Sequence, residues 1–139
     1  MGMKELSQHI IAVAHDRKLP ITNLQLQKVM YFVLKEAKEN GVLDNEKIKE
    51  IYDEEFLVWR YGPVVESVYD RYSYYVANEI TEYNEIIDKY NVLNELIEKY
   101  LREDVFDLVE KSHQNSFWKE NEKHIKYAKS KIKYNIGDI

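Results

Sequence analysis

The sequence contains no cysteine, and its 139 residues include only 4 glycines and 2 prolines. The absence of cysteine excludes disulfide bonds, cysteine-ligated zinc and thiol catalysis. So few glycines and prolines leave little room for a glycine-rich phosphate-binding loop or for the many turns of a β-sandwich. No apolar run approaches the length of a membrane span, and the N-terminus lacks the pattern of a signal peptide. The composition therefore predicts a mainly helical protein, in the cytoplasm and without contact to a membrane.

The charge balance argues against a nucleic-acid partner. The formal net charge is −5, whereas proteins that bind nucleic acid usually present a basic face. The hydrophobic fraction of 45% and the charged fraction of 32% are typical of a folded domain. A chain of this length is expected to form one domain, spanning residues 1–139.

One helix is predicted to lie at the centre of this domain, at about residues 23–39. Thr22 followed by Gln25 is a capping box that marks its start, and Asn40-Gly41 marks its end. Apolar residues occupy nearly all sides of this helix, which is typical of a helix surrounded by other elements. The fold class that follows is a compact helical bundle around this central helix, with one or two short strands at about 54–61.

Lys28 is the one charged residue among the apolar positions of this helix. Leu24, Tyr31 and Phe32 bracket it at helical spacing, so its aliphatic stem should be covered. The ammonium is expected to reach solvent. The alternative is an ion pair with a carboxylate, for which the candidates are Glu54, Glu55 and Glu66.

A strand, a corner and a helix are predicted between residues 54 and 72. Alternating aromatic and β-branched residues indicate the strand, which Gly62-Pro63 should break. Pro63 suits the first position of the next helix, and Glu66 falls in its first turn, where a negative charge complements the helix dipole. Trp59, Tyr61, Gly62 and Pro63 are interpreted mainly as determinants of the fold, with partner contact as the alternative.

The C-terminal part is lysine-rich from Lys119 to Lys133. Ile125, Ala128 and Ile132 recur there at helical spacing, which predicts a basic helix. Such a run is most often a solvated face, and contact with nucleic acid is the alternative. The ending at residues 134–139 resembles the approach to a further element.

No pattern of catalytic or metal-binding residues is evident, so neither an enzyme nor a cofactor is expected. His113 and Trp118 lie five residues apart at a helix end, where the histidine should bind the last carbonyls and the indole should fill the core. The other histidines lack the spacing of metal ligands. No serine lies in a nucleophile elbow.

A surplus of tyrosines suggests a partner-binding surface. Four occur between Tyr69 and Tyr75, and Tyr74 should point away from the inward stripe of the helix. Exposed aromatic residues are typical interface anchors. The predicted partner-binding residues are Lys28, Tyr31, Trp59, Tyr61, Glu66, Tyr69 and Tyr74.

Three blocks of the sequence resemble the Panacea domain, the family of SocA-like antitoxins that also includes phage-associated proteins of the GepA type. They are TNLQLQKVMYF at 22–32, EFLVWRYGPVV at 55–65, and Ser112-His113 followed by Trp118. In the family the pattern is T-N-x-x-L-Q-K-L-x-Y-F, W-x-Y-G-P-V, and a late histidine and tryptophan. The three blocks are similar in order and spacing and cover most of residues 21–118.

This resemblance implies a helical antitoxin that neutralises a toxin protein by direct binding. Some family members hand the toxin to an ATP-dependent protease, which is therefore a second implied partner. Many carry a separate DNA-binding domain, for which this chain has no room. The family pattern usually continues into a final isoleucine-rich helix, which this chain is expected to lack. The alternative to an antitoxin is a phage-derived regulator that contacts nucleic acid through the basic C-terminal helix.

Overall fold

Seven α-helices and one two-stranded antiparallel sheet make up the computed structural model, which describes residues Met1–Ile139. The prediction of a mainly helical fold is confirmed. No helix combines the length and the apolar character that crossing a membrane requires. The elements in chain order are α1 (Met3–Asp16), α2 (Asn23–Glu39), α3 (Asn45–Ile51), β1 (Leu57–Trp59), β2 (Gly62–Val64), α4 (Glu66–Tyr72), α5 (Asn94–Leu101), α6 (Val105–Ser112) and α7 (Ser116–Asn121).

Helix α2 lies at the centre of the fold, as predicted. Thr22 Oγ1 accepts a hydrogen bond from Gln25 N–H at 3.2 Å, and Gln25 Oε1 accepts one from Thr22 N–H at 3.0 Å, which completes the capping box. The helix ends at Glu39 with Asn40 as its C-cap, and Gly41 follows with a φ of 66°, which glycine adopts readily. α2 packs against α1, α5, α6 and β2, which bury most of its apolar residues.

The predicted strand at about 54–61 is the first half of a β-hairpin. β1 pairs with β2 around a two-residue loop, Arg60-Tyr61. The prediction that Gly62-Pro63 breaks the strand and opens a helix is wrong, because both residues lie in β2 and α4 begins at Glu66. Pro63 stands opposite Val58, whose N–H and C=O both bond to the C-terminal segment on the other side. The missing proline N–H therefore removes no hydrogen bond between the two strands.

The lysine-rich C-terminal stretch is not the basic helix that the sequence predicts. Within this stretch, helical geometry ends at His124, and the chain then turns tightly at Lys126–Lys129 and runs extended beside β1. Val58 N–H donates to Ile132 O and Tyr134 N–H donates to Phe56 O, both at 2.9 Å. The segment thus covers an edge of the hairpin that would otherwise expose unpaired backbone groups.

Residues 76–87, between α4 and α5, form no regular structure and are fastened to α1 by two histidines. His15 Nε2 lies 2.9 Å from Ile80 O. His9 Nδ1 accepts a hydrogen bond from Ile87 N–H at 3.0 Å, while His9 Nε2 lies 2.7 Å from Asn94 Oδ1. His9 must therefore be neutral with its proton on Nε2, and burial lowers its pKa.

Candidate functional site

Polar side chains at the start of α2 hold the backbone of the corner that leads from β2 into α4. Asn23 Nδ2 donates to Tyr69 O at 2.9 Å. Gln27 Oε1 accepts from Val65 N–H at 2.9 Å, and Gln27 Nε2 donates to Asn23 Oδ1 at 3.3 Å. Both side chains are buried, so each hydrogen bond satisfies a group that would otherwise be costly to bury.

Lys28 binds the same corner in a way that sequence reasoning missed. Its side chain is completely buried, and Nζ donates to Pro63 O at 2.6 Å. The amine neither reaches solvent nor forms an ion pair, so both predictions for it are wrong, including the pairing with Glu54, Glu55 or Glu66. With no opposite charge nearby, burial alone moves the pKa of Lys28 well below its ordinary range.

Gly62 makes this close approach possible. Its φ is +100°, a conformation that residues with a Cβ rarely adopt. A Cβ at this position would collide with Ser112 Oγ and lie 3.0 Å from Lys28 Nζ. The glycine therefore lets β2 pack directly on the buried amine and on α6.

His113 and Trp118 bind the loop of the hairpin from the opposite side. Trp118 Nε1–H donates to Trp59 O at 2.9 Å, and His113 Nε2 lies 2.8 Å from Arg60 O. The two rings stack with centroids 3.8 Å apart. Trp118 fills the core as predicted. His113 binds the last carbonyls of its own helix through its backbone N–H alone, and its imidazole reaches the hairpin instead. Burial lowers the pKa of His113, which favours the neutral ring donating to Arg60 O.

The three sequence blocks therefore meet at one place, the β-hairpin and the corner that follows it. Beside this corner lies an open apolar groove of about 540 Å³, with an adjoining pocket of about 140 Å³. Leu24, Tyr61 and Tyr69 line both hollows. The groove continues to Val76 and Phe106, and the smaller pocket reaches Trp59. The groove thus joins the start of α2, the hairpin loop, α4 and the start of α6.

The predicted partner-binding residues divide into exposed and buried ones. Tyr61 is 54% exposed and Tyr74 is 88% exposed, Glu66 is exposed and Tyr69 is half-buried. Trp59 is buried, with its ring 5.0 Å from that of Tyr69. The expected surface position of Tyr31 is wrong, because its side chain is buried and its hydroxyl accepts a hydrogen bond from Asn115 Nδ2 at 2.8 Å.

Sequence reasoning missed three residues that line the groove, Leu24, Val76 and Phe106. Phe106 is 64% exposed and Val76 is 76% exposed, which is unusual for large apolar side chains so close together. Val76 also has a φ of 56°, which is rare for a β-branched residue and occurs most often at functional sites. The sequence does contain a signal for Phe106, because this residue lies between Asp104 and Asp107 and off the inward stripe of α6, where an apolar side chain is expected to be exposed.

The arrangement suits the binding of another molecule. No three His, Asp or Glu side chains come together where they could hold a metal ion. Each buried polar side chain of the corner makes at least one hydrogen bond to a backbone atom, and the groove beside them is largely apolar. Such a surface can bury apolar side chains of another molecule.

Comparison with known proteins agrees with the resemblance of the three blocks. The family model described as antitoxin SocA-like, Panacea domain, matches residues 26–119, which is more than half of the chain. No curated protein and no solved structure matches. The matched range includes the buried lysine, the hairpin and the late histidine and tryptophan, so the chain belongs to the family of SocA-like antitoxins with a Panacea domain.

Proposed function

We propose that the protein neutralises a cognate toxin by binding it directly, and that the apolar groove beside the hairpin is the docking surface. The observation that supports this proposal is the set of exposed apolar side chains along the groove, Tyr61, Val76 and Phe106. The chain itself leaves these side chains uncovered. Membership of an antitoxin family supports a toxin as the kind of partner that would cover them.

Aromatic side chains on a rigid base are good anchors for a protein partner. Tyr61 and Tyr69 flank the groove, and their backbone is fixed by Asn23, by the hairpin and by His113. A fixed backbone lowers the entropy lost on binding, and large aromatic residues often carry most of the affinity. Neutralisation would then occur by occlusion, without chemical turnover.

A co-expression experiment tests this proposal. The protein encoded by the gene adjacent to this one is expressed from an inducible promoter, alone and together with the chain, and growth is measured. Wild type should rescue growth, and a variant with Tyr61→Ser and Phe106→Ser should fail. The affinity of this variant for the toxin should fall about 30-fold, which corresponds to about 2 kcal/mol for the loss of two anchors.

A matched control uses exposed tyrosines that line neither the groove nor the adjoining pocket. Tyr83 is 78% exposed and Tyr127 is 98% exposed. A variant with both changed to serine should rescue growth as wild type does. Equal loss of rescue in the two variants would contradict docking in the groove, and a neighbouring protein that is harmless alone would contradict the antitoxin role.

Transfer of the bound toxin to an ATP-dependent protease is the finer form of the same proposal. Occlusion predicts a complex in which the toxin persists, whereas the adaptor role predicts a toxin half-life that shortens when the chain is present. Measuring that half-life in cells with and without the protease separates the two.

The alternative function is a regulator that contacts nucleic acid. The observation in its favour is a set of exposed lysines without a carboxylate partner, spread over α7 and the segment that follows it: Lys119, Lys123, Lys126, Lys129 and Lys131. Binding to DNA that falls steeply with rising salt, and that is lost when these lysines are changed to glutamine, would support this function over the first.

A further inference from the structure

Unpaired carboxylates lie near the groove on two of the helices that line it, and together they form its acidic rim. Asp107 and Glu110 lie on α6 within one turn of Phe106, Asp104 is the N-cap of this helix, and all three line an open hollow of their own. The only cation in that hollow is Lys111, and Glu103 already binds it at 2.9 Å. Three negative charges on this side therefore have no counterion from the chain.

Helix α4, which contributes Tyr69 to the groove, adds two further carboxylates. Glu66 and Asp70 are exposed on α4 and lie within one turn of Tyr69 and Ser73, which line the groove. The cation that lines the adjoining pocket is Lys129, whose Nζ sits 4.8 Å over the ring of Trp59. The five unpaired carboxylates outnumber this lysine, so negative charge predominates on the two helices beside the groove.

We infer that the segment of the partner that enters the groove is apolar and carries lysine or arginine residues beside its apolar anchors. This inference rests on the proposed function and specifies the partner of the same groove. An apolar segment with basic residues buries its anchors in the groove and places its cations against the unpaired carboxylates. An acidic segment would be repelled by the same rim, so the rim selects against it.

The inference can be tested without knowing the toxin. The full chain is immobilised and a random peptide library displayed on phage is selected against it, with the Tyr61→Ser, Phe106→Ser variant as counter-selection. The peptides enriched on wild type should combine aromatic or aliphatic residues with lysine or arginine and should be depleted of aspartate and glutamate. An enriched peptide is then synthesised as the probe for affinity measurements.

Charge-neutral variants separate the rim from the groove. Asp104→Asn, Asp107→Asn and Glu110→Gln remove three charges, and asparagine preserves the helix cap at Asp104, which accepts hydrogen bonds from the first N–H groups of α6. Affinity for the enriched peptide should fall about tenfold at low salt, the combined effect of three exposed ion pairs. This difference should shrink at high salt because exposed charges are screened.

A second triple variant controls for the change in net charge. Glu50, Glu85 and Glu95 are exposed, unpaired and outside the groove. Changing all three to glutamine should leave the affinity unchanged.

Three results would overturn the inference. They are a library that yields no peptides dependent on the groove, enriched peptides without a basic preference, and equal effects of the two triple variants. Each differs from failure of the proposed function. A toxin that is neutralised through an acidic or uncharged segment overturns only the inference, whereas basic apolar peptides that bind while no toxin is neutralised overturn only the antitoxin role.

Discussion

Replacing the buried lysine tests the most unusual feature of the corner. Lys28 donates to Pro63 O at 2.6 Å with no carboxylate to balance a charge, so the folded protein should hold a neutral amine there. In the unfolded chain the same amine has the ordinary lysine pKa of about 10.4 and is protonated at neutral pH. Folding therefore releases a proton. The variant Lys28→Met removes the titrating group while retaining an unbranched side chain of similar length.

The magnitude follows from linkage between proton binding and folding. Where the unfolded state binds one more proton than the folded state, the free energy of unfolding rises by about 1.4 kcal/mol for each unit of pH. Because the folded-state pKa of Lys28 is lowered, this rise occurs in the pH range above that pKa and ends near the ordinary lysine value. For two pH values 1.5 units apart within this range, wild type should gain about 2 kcal/mol relative to Lys28→Met at the higher pH.

The assay is urea unfolding of both proteins at the two pH values, followed by circular dichroism. Comparing the two proteins cancels the titration of the tyrosines, which both retain. The exposed Lys123→Met serves as the control and should follow wild type at both pH values. If the stability difference between wild type and Lys28→Met did not change with pH, the amine would be charged in the folded protein and the account of the corner would be refuted.

Three further predictions concern the same corner and the fastening of residues 76–87. Gly62→Ala should destabilise the protein by about 3 kcal/mol because of the positive φ and the crowding around this residue. Gly41→Ala should cost only about 1 kcal/mol, because a Cβ there meets no atom within 4 Å. Equal losses of stability in chemical denaturation would contradict the role of crowding. Trp118→Phe should cost about 2 kcal/mol because the carbonyl that its indole binds is left without a donor; an unchanged unfolding midpoint would contradict that role. The imidazole of His9 should titrate below about 6.5 in an NMR experiment, and the Ile87 amide should shift in the same step, because protonation removes its acceptor. Since its folded-state pKa is lowered, His9 contributes stability that is present above about pH 6.5 and is lost as the pH falls towards that pKa. An imidazole titration midpoint at or above about 6.5 would contradict this prediction.

The elements that could be predicted from the sequence are those with local signals. The capping box of Thr22 and Gln25 and the stop at Asn40-Gly41 define α2 within the helix itself. The three sequence blocks indicated the family, and the match of the family model to residues 26–119 confirms it. The spacing of the tyrosines also predicted that Tyr74 faces away from the core, and its side chain is 88% exposed.

The failures have a common cause, which is pairing between residues far apart in the chain. Gly62-Pro63 carries the local signals of a break, and only its position opposite Val58 makes a proline acceptable in a strand. Ile125 and Ile132 have helical spacing, but β1 offers an unpaired edge that draws this segment into an extended form. Lys28 was placed on the correct helix, whereas its acceptor, a backbone carbonyl 35 residues away, has no signal in the sequence.

The corner and the groove also differ in what their side chains do, and this difference leads to a last prediction. Asn23, Gln27, Lys28 and Trp118 all bond to backbone atoms, so the shape of the corner does not depend on which side chains line the groove. Substitution of Phe106 should therefore change partner binding while the free energy of unfolding stays within about 0.5 kcal/mol of wild type.

Substitution of Trp118 should do the reverse, lowering stability while the choice among related toxins is unchanged. Measuring unfolding and toxin binding on the same set of variants tests this separation. A Phe106 variant that lost stability and binding together would show that the groove is part of the core. If the separation holds, the side chains of the groove can vary to accept different toxins while the motif residues keep one fold.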